Sequence, residues 1–296
     1  MGNHFHVLVE LPDKAKLVEE FSGAEGEQRL LRHVKCLYSA AAVRSLEGEL
    51  ARMREQGREK DAKAVVEAIV ARMGSLSAYM KEVKERFTRW YNKRHGRKGT
   101  LWMDRFKSVL VESGEALQMM ALYIDLNPVR AGLVDDPLEY RWCGWSEAMN
   151  GSRRAKRGIC RLMGEALNRW ESGDEAVGEN YGASLDVIVR SERVSETSGV
   201  SGCGARSEEG APQEKRRAGE VGGLSGLLLR GVRYFTDGGA VGSKGFVERV
   251  FEANRKEFPE NRRHASSAWR NPDDVEKRGS SGFYALRDLR KDVYRE

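Results

Sequence analysis

The stretch His4-Phe5-His6-Val7-Leu8-Val9-Glu10-Leu11-Pro12 decides the fold class. Phe5, Val7, Val9 and Leu11 fall on one side of a two-residue period, with His4, His6, Leu8 and Glu10 on the other. Pro12, which cannot donate to a strand ladder, ends the run. The pattern predicts a strand with one buried face. Its two imidazoles share the opposite face, about 6.8 Å apart along the strand, so two ring nitrogens can converge on one ion. The ordinary reading of an isolated His-x-His is two half-exposed strand histidines with no ligand. Here the pair stands on an apolar run in a chain with only five histidines, which adds weight to the metal reading without deciding it.

Outward from this strand the period changes. From about Gln28 the pattern is helical, broken near Gly57 and resumed from Asp61 to Arg72. Leu76, Tyr79, Met80, Val83, Phe87, Trp90 and Tyr91 then form one apolar stripe on a helix that Gly96 terminates. Leu101 to Glu112 carries Trp102, Phe106, Val109 and Val111 and reads as a second strand. Ser113 is the expected cap of a helix from Glu115 to about Leu126, stopped by Pro128. Beyond Trp145 the regular pattern fades. From Glu171 to Gly223 the chain is rich in Gly, Ser and Glu, a composition that buries too little apolar surface to offset ordering. Further on, Ser243 caps an amphipathic helix reaching Phe258, and Val232–Phe235 with Asp237-Gly238 reads as a strand or short helix entering a turn. The expected organisation is a domain over 1–148, a mostly flexible linker over 149–223 and a small C-terminal module over 224–296.

Bulk properties bound the function. The 296 residues carry 51 Lys and Arg against 45 Asp and Glu, a net charge of +6 that permits a polyanionic partner. No apolar run approaches the roughly 18 residues of a membrane span, and the N-terminus has no basic region preceding an apolar core. Cys36, Cys143, Cys160 and Cys203 form no CxxC pair, which argues against a zinc site or disulfide framework. The expectation is a cytoplasmic protein with reduced thiols and no membrane partner.

Two further constellations carry chemistry. In Tyr123-Ile124-Asp125-Leu126-Asn127-Pro128, Tyr123 and Asn127 lie four residues apart and share a helix face, so a phenol and an amide project together. Taken alone, Tyr123 reads more readily as a core or edge tyrosine and Asn127 as a helix-ending residue before proline, and spacing does not separate these readings from the functional one. Near the end of the striped helix, Lys81, Lys84, Arg86, Arg89, Lys93, Arg94, Arg97 and Lys98 face only Glu82 and Glu85. Interleaved with Phe87, Trp90, Tyr91 and Trp102, these cations suit a groove that neutralises phosphates and stacks bases. The competing reading is a solvated face with its aromatics turned inward. That reading is preferred for Phe87 and Trp90, and nucleic acid for Lys93 to Lys98.

Three motifs in order resemble one family. Asn3-His4-Phe5-His6-Val7-Leu8-Val9-Glu10, then Gly99-Thr100-Leu101-Trp102 with Arg105-Phe106, then Tyr123-Ile124-x-x-Asn127-Pro128-Val129-Arg130-Ala131-Gly132-Leu133-Val134 resemble the REP-associated tyrosine transposases. These are single-tyrosine, IS200-like members of the HUH nuclease superfamily. The resemblance covers about residues 1–148; Val232–Gly238 and Leu286–Arg290 also look like an extension of longer members.

The resemblance implies an α+β fold in which a small antiparallel sheet carries the His-x-His strand packed against helices, with a helical insertion. It implies that His4, His6 and Asn127 hold a divalent metal, magnesium or manganese, and that Tyr123 is the nucleophile. The chemistry implied is cutting and rejoining single-stranded DNA at palindromic repeats through a 5'-phosphotyrosine. Lys93, Arg94, Arg97, Lys98 and Arg105 are the expected DNA-binding residues. Family members carry residues ahead of the HUH strand, whereas Met1 lies three positions before His4. The expectation is therefore an N-terminally truncated copy or a start assigned too late. The rival functions are a catalytically inactive hairpin-DNA-binding protein and, on the basic stretch alone, an RNA-binding or structural helical protein.

Overall fold

The computed structural model describes residues 4–198, 238–260, 262, 267–268 and 282–287. It is mixed α and β, mostly helical, and its described residues divide into two units. One is built from the chain up to Leu8 and from Lys107 onward, the other from Val9–Phe106. The single domain expected over 1–148 is thus split.

The Val9–Phe106 unit is helical. Helices α1 (Lys14–Glu20), α2 (Gly23–Lys35), α3 (Ala40–Glu55), α4 (Glu59–Met73) and α5 (Leu76–Arg94) follow one another through short turns. The turns have local causes. Asp13, Ser39 and Ser75 each accept a backbone N–H at a helix start. Gly57 and Gly96 take φ values of 72° and 60°, where a side chain would be strained. The core consists of Leu17, Phe21, Leu30, Val34, Val43, Leu50, Ala62, Val66 and Val70. α5 departs from expectation: of its apolar stripe only Met80 is buried, and Tyr79, Phe87 and Trp90 are exposed. The preferred inward reading of Phe87 and Trp90 is therefore overturned, because the unit's core is filled by residues between Leu17 and Val70 and these rings pack on one another and on Trp102.

The other unit holds β1 (Leu110–Val111), α6 (Glu115–Arg130), α7 (Gly144–Met149), α8 (Arg153–Leu162), α9 (Ala176–Ser198), β2 (Gly238–Gly242), α10 (Lys244–Ala253), β3 (Ser267–Ala268) and β4 (Tyr284–Arg287). The sheet order is β1-β2-β4-β3. β1 runs parallel to β2, with Leu110 opposite Ala240, while β4 is antiparallel to both β2 and β3. The sheet is mixed, then, and not antiparallel. The second expected strand, over Leu101 to Glu112, shrinks to two residues.

The pleat sorts the sheet's side chains between two cores. Val241 and Ala285 join Met119, Tyr123, Leu126, Trp145, Trp170, Tyr181 and Leu185 on one face. Ala240 and Leu286, one residue out of phase, join Val247, Phe251 and Phe258 on the other. Residues expected as a separate C-terminal module therefore supply the middle of the sheet. Glu112, just past β1, accepts from both the backbone N–H and the hydroxyl of Ser243, at 2.6 and 3.0 Å. Ser243 in turn caps α10 as expected.

The expected linker is also different. Residues 153–162 and 176–198 are helical, and Trp170, Tyr181, Leu185 and Ile188 are core residues. Glycine is used here for close approach and not for flexibility: a Cβ on Gly178 would come within 2.3 Å of the Trp170 ring, and one on Gly182 within 2.8 Å of Trp145. The expectations for Val232–Phe235, Asp237, the later part of the linker, Asn3, Cys203, Leu289 and Arg290 lie outside the described residues.

Candidate active site

α6 carries the centre of the site. Its N-cap is Gly114, at φ 83°, in place of the expected Ser113. Its end runs past Pro128 to Arg130, because the proline sits in the last turn, where its missing N–H costs one helical hydrogen bond. The terminus is closed by a reciprocal pair of bonds, Leu133 N–H to the Pro128 carbonyl at 3.0 Å and Gly132 N–H to the Val129 carbonyl at 2.9 Å, with Gly132 at φ 63°. Asn-Pro-Val-Arg-Ala-Gly-Leu thus encodes a helix end, and it fixes the rotation at which Tyr123, Asn127 and Arg130 share one face.

His6 packs against Tyr123 with ring centroids 5.9 Å apart and planes at 73°. His4 lies 5.1 Å from His6, nearly edge-on at 86°. The Arg130 guanidinium carbon sits 4.9 Å from the centre of the Tyr123 ring. His6 is thus brought to the tyrosine with His4 beside it, but not by a strand: residues 4–11 belong to no strand, and Phe5, Val7, Val9 and Leu11 are exposed. Alternation brought the two imidazoles together but found no strand for the apolar residues: β1 is a two-residue edge strand paired with β2, β4 lies between β2 and β3, and residues 4–11 join neither.

Electrostatics favour a ligating imidazole at His6. Burial lowers its pKa, and the neighbouring His4 and Arg130 charges lower it further, so the ring is neutral and keeps a lone pair at neutral pH. Asn127 is buried, and its amide nitrogen donates to the Tyr123 carbonyl at 2.9 Å, which leaves the amide oxygen as its ligating atom. Imidazole nitrogens and an amide oxygen are donor types that suit a divalent ion of the magnesium to zinc range. Among the described residues no three His, Cys, Asp or Glu side chains gather as a metal cluster. Tyr123 itself is 1% exposed.

Sequence reasoning missed two features. Arg130 lies seven residues after Tyr123, a same-face spacing that could have signalled it. Asp125 is a buried carboxylate that accepts from the Tyr181 hydroxyl at 2.9 Å and the Gly144 N–H at 3.0 Å, tying α6 to α7 and α9. Burial pushes its carboxyl above the usual range. Beside it, the Cys143 thiol donates to the Pro137 carbonyl at 3.1 Å, and burial pushes its pKa up to about 11. Its partner Tyr181 was hidden in the stretch read as linker.

The expected DNA-binding residues Lys93, Arg94, Arg97, Lys98 and Arg105 are all exposed, in the Val9–Phe106 unit. Asn92 braces their loop by donating to the Gly99 carbonyl at 2.9 Å, while Arg97 N–H donates to the Asn92 carbonyl. Among the described residues no helix is long and apolar enough to cross a membrane. No family model, curated protein or solved structure matches this chain.

Proposed function

We propose that the chain is a metal-dependent tyrosine transposase, a single-strand DNA endonuclease and strand transferase acting at palindromic repeats. The observation that carries this reading is the packing of His6 against Tyr123, with His4 beside His6 and Asn127 one turn further along α6. His4, His6 and Asn127 would hold a divalent cation, magnesium or manganese, whose charge polarises the scissile phosphate. The Tyr123 oxygen attacks phosphorus, the bond to the 3'-oxygen breaks, and the proton lost by the phenol balances the one taken by the leaving 3'-hydroxyl. The product is a 5'-phosphotyrosine, which a later 3'-hydroxyl can reverse without ATP. Arg130, over the Tyr123 ring, keeps the phenol in place and adds positive charge where a phosphate must arrive. Lys93, Arg94, Arg97, Lys98 and Arg105 would bind the rest of the strand.

One observation favours a second reading. A nucleophile 1% exposed must be uncovered before it reaches DNA, and a chain in which it stays covered would be a hairpin-DNA-binding protein without chemistry. Denaturing electrophoresis of labelled single-stranded hairpin DNA separates the two. Unmodified protein with magnesium or manganese is expected to give a covalent adduct, lost in Tyr123→Phe, His4→Ala and His6→Ala while hairpin binding persists. Asn127→Ala should leave a weaker site that excess manganese partly restores. An adduct in Tyr123→Phe overturns the nucleophile, and hairpin binding with no adduct from unmodified protein establishes the binding-only reading.

A further inference from the structure

The second half of α5 bears an aromatic surface that belongs to no buried cluster. Phe87, Trp90 and Tyr91 share a helix face, and Trp102 returns onto it. Phe87 lies 5.6 Å from Trp90, 6.0 Å from Tyr91 and 5.7 Å from Trp102, centroid to centroid. The returning segment is fastened: the Trp102 indole N–H donates to the Lys84 carbonyl at 3.1 Å, and the Lys84 ammonium donates to the Asp104 carbonyl at 2.7 Å. Despite this order, Trp90 is 55% exposed and Phe87 42% exposed. Exposed aromatic area held in a fixed cluster marks a binding surface.

Charge identifies its occupant. Arg94 lies 5.9 Å from the Trp90 ring and Arg97 5.9 Å from the Tyr91 ring, with Lys93 and Lys98 exposed beside them. The two acids of the helix are engaged further back, Glu82 with Arg86 at 2.6 Å and Glu85 with Lys81 at 3.8 Å. An apolar protein face would leave these cations facing nothing, whereas a nucleic-acid strand supplies flat apolar bases and phosphates at the same spacing. Paired bases hide their faces in the duplex stack, so only unpaired bases can use the rings.

We infer that Trp90 and Phe87 form a base-stacking platform for unpaired nucleotides of single-stranded DNA, with Arg94, Arg97 and Lys93 neutralising the adjoining phosphates. This rests on the proposed reading of DNA as partner and adds how the protein distinguishes a single strand from a duplex. It requires no chemistry at Tyr123.

The test is fluorescence anisotropy with the full chain and a labelled DNA hairpin bearing a single-stranded thymidine tail. Parallel probes are the same tail made abasic, a fully duplex version and the RNA equivalent. Trp90→Ala is expected to weaken binding to the tailed hairpin about tenfold with an unchanged salt slope, and Trp90→Phe to restore most of it. The abasic tail should bind unmodified protein no better than the normal tail binds Trp90→Ala. An equal loss on duplex, indifference to the abasic tail, or tighter binding of the RNA would overturn the inference. Loss of a self-associated species in Trp90→Ala by sedimentation would overturn it in favour of a protein interface. The failures are distinguishable: an adduct at Tyr123 with binding indifferent to Trp90 removes the platform and leaves the nuclease. Tail binding that depends on Trp90 with no adduct removes the nuclease and leaves the platform.

Discussion

Helices α5 and α6 are similar in length and both carry many apolar residues, yet they meet solvent in opposite ways. α6 buries ten of its sixteen residues, polar Asp125 and Asn127 among them, whereas α5 buries only Met80 among its nineteen. α6 is covered on several sides by the Trp145, Trp170 and Tyr181 core, while the aromatics of α5 stack on one another and on Trp102. An aromatic residue therefore means different things on the two helices. On the proposed function Tyr123 would have to be uncovered before acting, whereas Trp90 is exposed as it stands.

The largest effect expected from this contrast is in stability. Trp170 is 2% exposed, lies over Gly178 and donates its indole N–H to Glu175 at 2.6 Å. Trp170→Ala should cost about 3–5 kcal/mol, while Trp90→Ala, at a solvated site, should stay within about 0.5 kcal/mol. Urea melts of the two variants check this. Equal losses would mean that the α5 aromatics are a core after all, and would break the comparison.

A smaller effect probes the same core through the backbone. Gly178→Ala places a methyl group 2.3 Å from the Trp170 ring, so the indole or α9 must shift. A loss of about 1–3 kcal/mol is expected. Gly158→Ala, where an added Cβ meets nothing within 4 Å, should be neutral or stabilising because alanine is the better helix former. If thermal melts ranked the two variants the other way, the helix that residues 176–198 form would not pack as described.

The contrast also shows what was legible beforehand. Helices α3 to α5, their breaks at Gly57 and Gly96 and the cap at Ser243 follow from local rules of period and capping, which one segment expresses by itself. The common side of His4 and His6 and the shared face of Tyr123 and Asn127 are local in the same sense. What failed depended on distant chain. Composition could not reveal that Gly178 and Gly182 serve tryptophan rings and not flexibility, so the first part of the expected linker was misread. The sheet pairs Leu110 with Ala240, and no pattern within residues 4–11 could show that the partner of β1 comes from beyond residue 237. Asp125 became informative only with Tyr181, 56 positions away.

The smallest effect sets one carboxylate from each helix against the other in their pH dependence. Burial raises the folded pKa of Asp125 above the ordinary aspartate value, despite the hydrogen bonds from Tyr181 and from the Gly144 and Trp145 backbone. The unfolded chain therefore loses this proton first. Stability should fall as pH rises from about 3.9 to the raised folded value and stay level beyond it. Glu82 is the reverse case. Its hydrogen bond with Arg86 holds the folded pKa below the usual range, so its contribution is present above the unfolded value and is lost as pH falls through the folded one. Solvent screening keeps the Glu82 contribution small. Asp125→Asn preserves the bonding, since an amide oxygen can accept from Gly144 while its nitrogen donates to the Tyr181 oxygen. This variant should flatten the decline with rising pH, whereas Glu82→Gln should flatten the acid-side loss. Melting temperatures measured across pH in a chelator-containing buffer would show both. If Asp125→Asn left the slope unchanged, the carboxylate would be solvated and α6 less enclosed than α5 is open.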